Sequence, residues 1–378
     1  MKALHLASFN GNIGDIANHI GFWNLFKKYV DNTVNVTPLE MREFYQSWNL
    51  RKFDSEFVSE VNRYDLLVIG GGNFFDVKWD YSDTGTTLNL SPALLDKITI
   101  PIVFNGMGAE YSPAPRFEQA RRSFDSFIHS IDGREKTVVS VRNDDSMMLL
   151  KTFFSTPALQ NIIQIPDGGF FTSAKEYCHP EIPAGQKIIA VNLAKDRIAD
   201  RWGNEKNYLA YCQEFAQFIK KVLSDNQAYH FVFVPHIPSD LQAILDVLQY
   251  VDDCYCRRSV TIAPYLNGWN TPGDYLVDLY RKASVSIGMR YHSNICSIAM
   301  ETPTIGIVTL DKHVALYKSI GMQDRLFNVR TTPFKEALYE RLSSVIANRE
   351  TLVQQNRQLV SRLEQDSLDY YRKIKELL

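Results

Sequence analysis

Apolar and polar positions alternate between two periods along most of the chain. Short apolar runs that end in turn residues are followed by longer stretches with an apolar position every three or four residues. "KALHLAS" (2–8) predicts a strand, and "DIANHIGFWNLFKKY" (15–29) an amphipathic helix after it. Further strands are predicted over 32–38, 64–73, 100–108 and 136–143, with helices over 116–131 and 144–154. A Pro- and Gly-rich seam, "IIQIPDGGFFTSAKEYCHPEIPAGQ" (162–186), interrupts the pattern. It restarts with strands over 187–195, 228–236, 258–264, 284–289 and 302–308 and helices over 206–224, 239–251 and 274–283. Such alternation implies parallel strands joined by helical crossovers. The expected fold class is α/β, with two Rossmann-like domains over 1–180 and 181–333 and a helical segment over 334–378. In that tail Leu352, Leu359, Leu363, Tyr370, Ile374 and Leu377 form an apolar stripe. Too few heptads are present for a coiled coil, so a last helix packing back on the N-terminal domain is expected, with homo-oligomerisation as the alternative.

Composition changes this picture little. The 378 residues are 45% hydrophobic and 22% charged, as in ordinary soluble proteins, and the length suits two domains. A formal net charge of -2 gives no global attraction to nucleic acid or to an acidic membrane, so an anion site has to be built locally. The five cysteines show no disulfide framework, and Cys254-Tyr255-Cys256 lacks a second pair for zinc. No metal site is expected. "MKALHLASFNGNIGD" turns polar too early for a signal peptide, and no run reaches the ~18 apolar residues of a membrane span. A cytoplasmic protein without a transmembrane segment is expected.

In open α/β sheets ligands collect beyond the carboxyl ends of the strands, so residues directly after strands carry the chemistry. Asn10, Gly11, Asn12, Gly14 and Asp15 join the first strand to the first helix. Their N–H groups either face an anion, or Asp15 simply caps the helix. Gly70, Gly71 and Gly72 with Asn73 let a ligand approach the backbone closely. Arg142 ends a predicted strand, which for a lone arginine usually means a surface ion pair. "SIGMRYHSNICSIAMETPTIGI" (286–307) breaks a buried pattern with Arg290, Tyr291, His292, Ser293 and Asn294. There Ser293 or Asn294 would cap a helix, Arg290 offers a planar fork for carboxylate or phosphate, and His292 can donate or accept a proton.

At these residues the chain resembles the polysaccharide pyruvyltransferases. The resemblance is carried by "NGNIGD", "DLLVIGGGN", "PIVFNGMG", "SVRNDDS", "IPDGGF", "RYHSNICSIAMETPTIGI" and "TLDKHVALYKSIGM", in that order over residues 10 to 322. Two departures are Tyr291, where the family more often has an aliphatic residue, and Asp167-Gly168-Gly169, where it has Asp-Pro. The resemblance implies the GT-B fold, two Rossmann-like domains facing across a cleft. It implies transfer of the enolpyruvyl group of phosphoenolpyruvate (PEP) to two hydroxyls of a sugar, with PEP as donor substrate and no separate cofactor. The implied acceptor is a hexose on a cell-surface glycan or its lipid-linked precursor; the latter goes with peripheral association at the inner membrane face. In this reading Arg290, Arg142, Lys312 and Ser293 hold PEP, and His292 is the acid. Asn10, Asn12, Gly72 and Asn73 meet the acceptor, and Asp15, with Asn73, orients or deprotonates the sugar. Tyr111, Trp79, Trp202 and Trp269 are candidates for stacking on sugar rings. The rival readings are a nucleotide-sugar-dependent GT-B glycosyltransferase, with Glu301 at its helix end, and a non-catalytic sugar-binding protein on the same scaffold.

Overall fold

The first apolar runs become strands β1 (Lys2–Ala7), β2 (Asn35–Glu40) and β3 (Leu66–Gly70). They are followed by β4 (Phe75–Val77), β5 (Ile102–Met107), β6 (Ala109–Tyr111), β7 (Thr137–Arg142) and β8 (Ile163–Ile165). After the seam come β9 (Lys187–Asn192), β10 (Tyr229–Phe233) and β11 (Val260–Ile262). The last three are β12 (Val285–Gly288), β13 (Thr304–Val308) and β14 (Leu326–Asn328). This is a computed structural model, which describes residues 1–111, 117–132, 134–154, 157–266 and 271–378.

Contacts divide the chain into two units. The first comprises Met1–Asn10, Gly21–Gly168 and Leu363–Leu378, and the second Gly11–Ile20 and Gly169–Arg362. These bounds differ from the expected 1–180, 181–333 and 334–378 for identifiable reasons. The seam after Gly168 is fastened to helix Tyr275–Lys282: Lys175 N donates to Asp274 at 3.0 Å and Tyr177 N to Asp278 at 2.8 Å. The start of the tail buries Phe334, Leu338, Leu342 and Val345 in the second unit's core. The first turns of helix Ile13–Tyr29 bury Ile13, Ile16 and Ala17 with Ile188, Ala190, Val232 and Leu276.

In the first unit the main sheet runs β2-β1-β3-β5-β7-β8, all parallel, and β4 and β6 form a separate ladder. Leu4, Leu6, Leu67, Ile69, Ile102 and Phe104 fill the core on one face. On the other, helix Leu368–Leu377 buries Tyr370, Tyr371 and Ile374, and the Tyr370 hydroxyl donates to Asn105 Oδ1 at 2.9 Å. The last helix therefore packs on the N-terminal unit, as its apolar stripe predicts.

In the second unit the order is β11-β10-β9-β12-β13-β14, again parallel. Alternate residues of its strands serve two cores: Ile189, Val191, Phe231 and Phe233 face one, Ile188, Ala190 and Val232 the other. Strand order reverses between β9 and β12 in this sheet, and between β1 and β3 in the first. Those reversals open a crevice beyond the strand carboxyl ends. Arg290 stands two residues after the end of β12, and the glycine run from Gly70 closes β3, so the motifs with the most chemistry stand at the two switch points.

Candidate functional site

In the second unit the site is an elbow. β12 ends at Gly288, Arg290 is extended (φ -84°, ψ 149°), and helix Tyr291–Ala299 begins at once. His292 therefore lies in the helix's first turn, where free N–H groups and the helix dipole favour negative charge. The expected caps do something else. Ser293 Oγ donates to the Arg290 carbonyl at 2.7 Å and Asn294 Nδ2 to the same oxygen at 2.9 Å. Ser293 is completely buried, so its hydroxyl holds the elbow instead of facing a phosphate.

Arg290 is committed as well. Its Nε lies 2.9 and 2.7 Å from the two oxygens of Asp240, and Nη2 lies 2.7 Å from Asp196 Oδ1. The fork expected to clamp a substrate anion is thus occupied by two carboxylates of the protein. Asp240 is fully buried and also accepts from the backbone N–H of His236 at 2.9 Å. Asn192, at the end of β9, accepts from Arg290 N at 2.9 Å and donates to the Val234 carbonyl at 2.9 Å. Burial opposes ionisation of Asp196, but Arg290 and Arg201 outweigh it and hold its carboxyl below the usual range, with Lys312 adding to the pull. Arg290, Asp196 and Lys312 therefore belong to one electrostatic cluster.

A second helix start meets His292 within the same unit. Asn12 Oδ1 accepts from Gly14 N at 3.0 Å, so Asn12 caps helix Ile13–Tyr29, and Asp15 stands in its first turn. The acceptor role expected of Asn12 gives way to capping. A β-carbon on Gly14 would lie 2.4 Å from His292 Nδ1 and 2.5 Å from its Cβ and Cγ. Asp15 and His292, expected from opposite halves, thus stand on adjoining turns of the second unit. Tyr291 presents its ring edge-on to the imidazole, with centroids 5.2 Å apart. Fully buried His236, whose Nε2 lies 2.7 Å from the Tyr280 hydroxyl, is pushed well below the usual histidine range by burial, then by Arg290 and His292.

The close approach at Gly14 gives a direct test. Gly14→Ala has to displace the His292 ring and its stem. A misplacement of this order costs about 100-fold in turnover, and the overpacking about 1–3 kcal/mol of stability. Melting and kinetic measurements on Gly14→Ala and on Gly14→Ala/His292→Ala check this. The double variant removes the ring but keeps the β-carbon of residue 292, 2.5 Å from the added methyl, so it should regain only part of the stability and none of the activity; unchanged kinetics in Gly14→Ala would show that the contact is slack.

In the first unit β3 runs into Gly70 (φ 122°) and Gly71 (φ 82°), backbone states that only glycine adopts without strain. Buried His5 supports this turn. Trp23 Nε1 donates to its Nδ1 at 3.0 Å, leaving Nε2 to donate to the Gly70 carbonyl at 3.1 Å. Gly72 O accepts from Gly108 N at 2.9 Å. Over Gly108, Arg142 and Asn73 come together: a β-carbon there would lie 2.4 Å from Arg142 Nη2 and 2.6 Å from Asn73 Oδ1. Arg142 pairs with Asp144 at 2.7 Å and with buried Asp167 at 3.5 Å, so it is no surface ion pair. Asn10 is tied down: its Nδ2 donates to Glu40 Oε2 at 2.9 Å, and its carbonyl accepts from Arg42. Of the aromatic candidates, Trp202 is buried and stacked on Tyr211 with centroids 4.3 Å apart. Tyr111 packs on Phe153 and Phe154, Trp79 Nε1 donates to Asp76 at 2.6 Å, and Trp269 lies outside the described residues.

Sequence reasoning missed Asn192, Asp196, Arg201, His236 and Asp240. A signal was available, because these follow or end β9 and β10, and strand carboxyl ends were already the criterion for the residues it did select.

Comparison with known proteins gives a family and a fold. The sequence pattern of the family described as polysaccharide pyruvyl transferase matches residues 12–311. No curated protein sequence matches the chain. Among solved structures, a putative UDP-N-acetylglucosamine 2-epimerase from Listeria monocytogenes is similar with TM-score 0.54 and 11% identity, covering 94% of this chain and 90% of that one. A glycosyltransferase from Rickettsia africae ESF-5 is similar with TM-score 0.53 and 12% identity, covering 99% and 98%. UDP-GlcNAc 2-epimerase from Neisseria meningitidis, bound to UDP-GlcNAc, gives 0.51 and 13%, covering 99% and 100%. At such identities the likeness establishes the GT-B fold, two Rossmann-like domains, and nothing about substrate.

Proposed function

Because the chain belongs to the polysaccharide pyruvyl transferase family, we propose that it moves the enolpyruvyl carbons of PEP onto two hydroxyls of a sugar, closing a cyclic ketal and releasing phosphate. The observation that carries this reading is the second unit's elbow, where the His292 imidazole sits in the first turn of one helix and against the first turn of another. A small donor bearing a carboxylate and a phosphate suits two helix N-termini and a cationic cluster better than a large apolar cavity.

The proposed chemistry balances with the groups in place. His292 protonates the PEP methylene carbon, and one sugar hydroxyl attacks the oxocarbenium-like centre that forms. The bond from that carbon to the phosphate oxygen then breaks, its electron pair leaving with phosphate, and the neighbouring hydroxyl closes the ring. Of the two hydroxyl protons, one replaces the proton given to carbon and the other leaves on phosphate. Lys312 is the proposed donor contact in the second unit, with Arg290 holding the elbow and Asp15 orienting the sugar. In the first unit, Arg142 and Asn73 over Gly108 are the proposed substrate contacts. The family implies a polysaccharide acceptor. A hexose on a lipid-linked precursor would bring the protein to a membrane surface; among the described residues no helix is long and apolar enough to cross a membrane.

Mass spectrometry of candidate glycans incubated with PEP tests the reading. The expected result is a gain of one pyruvate less water, with one phosphate released per event. The second reading, on the fold that the Neisseria epimerase bound to UDP-GlcNAc shares, is a nucleotide-sugar enzyme. Its helix-end carboxylate, Glu301, is here paired with Arg357 at 2.6 Å. Thermal stabilisation by uridine diphosphate but not by PEP would replace pyruvyl transfer with that reading.

A further inference from the structure

The turn after β13 holds a buried lone pair without a partner. His313 lies in the first turn of helix Asp311–Ser319, is 2% exposed, and has its Nδ1 3.2 Å from the Ile307 carbonyl oxygen. A carbonyl only accepts, so Nδ1 carries the proton. Burial, then Lys312 and Arg201, push the imidazole well below its ordinary range, so the ring is neutral and Nε2 is an acceptor. That atom has no hydrogen-bond partner among the described residues. An acceptor left this way in a buried position calls for a donor from outside the protein.

Cations surround the same turn. Arg201 is 4% exposed; its Nη1 donates to Thr309 Oγ1 at 2.6 Å and its Nε to the Asp196 carbonyl at 2.8 Å. Arg330 grips the Thr309 carbonyl from Nε at 3.1 Å and Nη2 at 2.8 Å, fixing the turn. Burial first, then Arg290 and Arg197, lower Arg201 to about 10 against the pull of Asp196. Asp196, 3.4 Å from Arg201 Nη2, and Asp311, 3.1 Å from Arg330 Nη2, offset part of this charge, leaving Arg201, Arg330 and Lys312 against two carboxylates where the helix presents its N-terminus.

One kind of ligand answers both features. The cations call for an anion, and the lone pair calls for a hydrogen-bond donor. We infer that the turn between β13 and helix Asp311–Ser319 is a phosphate subsite, in which Arg201 and Lys312 meet the anion and His313 Nε2 accepts a hydrogen bond from a phosphate hydroxyl. Such a hydroxyl is absent from the dianionic ester of PEP and present on the phosphate that leaves with a proton. The subsite thereby favours the departing group over the bound donor. The identity of that phosphate rests on pyruvyl transfer; the subsite itself does not.

Calorimetric titration of the 378-residue chain with inorganic phosphate and with sulfate separates the cases, at a pH where both anions are dianions. Only phosphate then carries a hydroxyl. Wild type should prefer phosphate over sulfate by about tenfold or more. His313→Phe should bring the two within about twofold while still binding sulfate, and Arg201→Lys should weaken both about tenfold and leave their ratio unchanged. Wild type binding neither anion, or both equally, overturns the inference; this is the result expected if an ordered water alone meets Nε2. A folded His313→Phe that keeps the phosphate preference overturns it too. The wild-type ratio decides the matter even where a variant fails to fold. If phosphate binds selectively but the same titration with PEP shows no binding to the protein at all, the subsite stands and the pyruvyl-transfer reading fails.

Discussion

Asp240→Ala is expected to destabilise the second unit by about 3–5 kcal/mol, the usual cost of removing one partner from a buried ion pair. The substitution leaves the Arg290 guanidinium, whose side chain is 14% exposed, with Asp196 as its remaining carboxylate among the described residues. It also removes the acceptor for the backbone N–H groups of His236 and Ile237. Urea unfolding should show a lower midpoint at an unchanged m value, and melting should fall by about 2–4 °C per kcal/mol lost. Asp240→Asn retains the shape and one acceptor oxygen, so it should lie between the alanine variant and wild type. Asp240→Leu/Arg290→Met replaces the pair by apolar side chains and should recover much of the stability. If Asp240→Ala unfolds within about 1 kcal/mol of wild type, Arg290 is not held as the structure has it, and its fork is available to a substrate after all.

That pair also marks where the sequence stops being legible. β1, β9, β10 and β13 are readable because their runs are buried on both faces, so each is mainly apolar, with isolated polar positions such as His5 and His230. The pattern predicts β2 over 32–38, whereas it lies at Asn35–Glu40, because Pro38 reads as a terminator. It is an edge strand, where a missing N–H costs no ladder bond on the open side. β8 and β14 have three residues each, too few to display a period. The helix after β12 starts before the residues with the best capping propensity, because Arg290 ends the extended stretch and Ser293 and Asn294 bond back to its carbonyl. The switch-point motifs were found by local pattern, but the partners of Arg290 lie 50 and 94 residues away along the chain. Local pattern shows that a guanidinium follows a strand; only the folded sheet shows that carboxylates from the loop after β9 and from the first turn of helix Pro238–Leu248 have already engaged it.

With Arg290 engaged, the chemistry falls on His292, and a change there should have the largest kinetic effect. His292→Ala is expected to lower kcat by about 10²–10⁴-fold, the range for loss of a positioned general acid. The cavity opens beside Gly14, so stability should change little: the alanine relieves a contact in which Gly14 has no spare room. His292→Gln distinguishes proton donation from phosphate binding. Glutamine keeps a hydrogen-bond donor and cannot transfer a proton, so an acid role leaves both variants equally slow at saturating PEP. A binding role instead restores kcat in the glutamine variant and confines the defect to KM. Deuterium from solvent should enter the ketal methyl group in wild type, because the proton added to carbon comes from an exchangeable imidazole. His292→Ala with near wild-type kcat at saturating PEP would remove His292 from the chemistry and leave the elbow as a binding device.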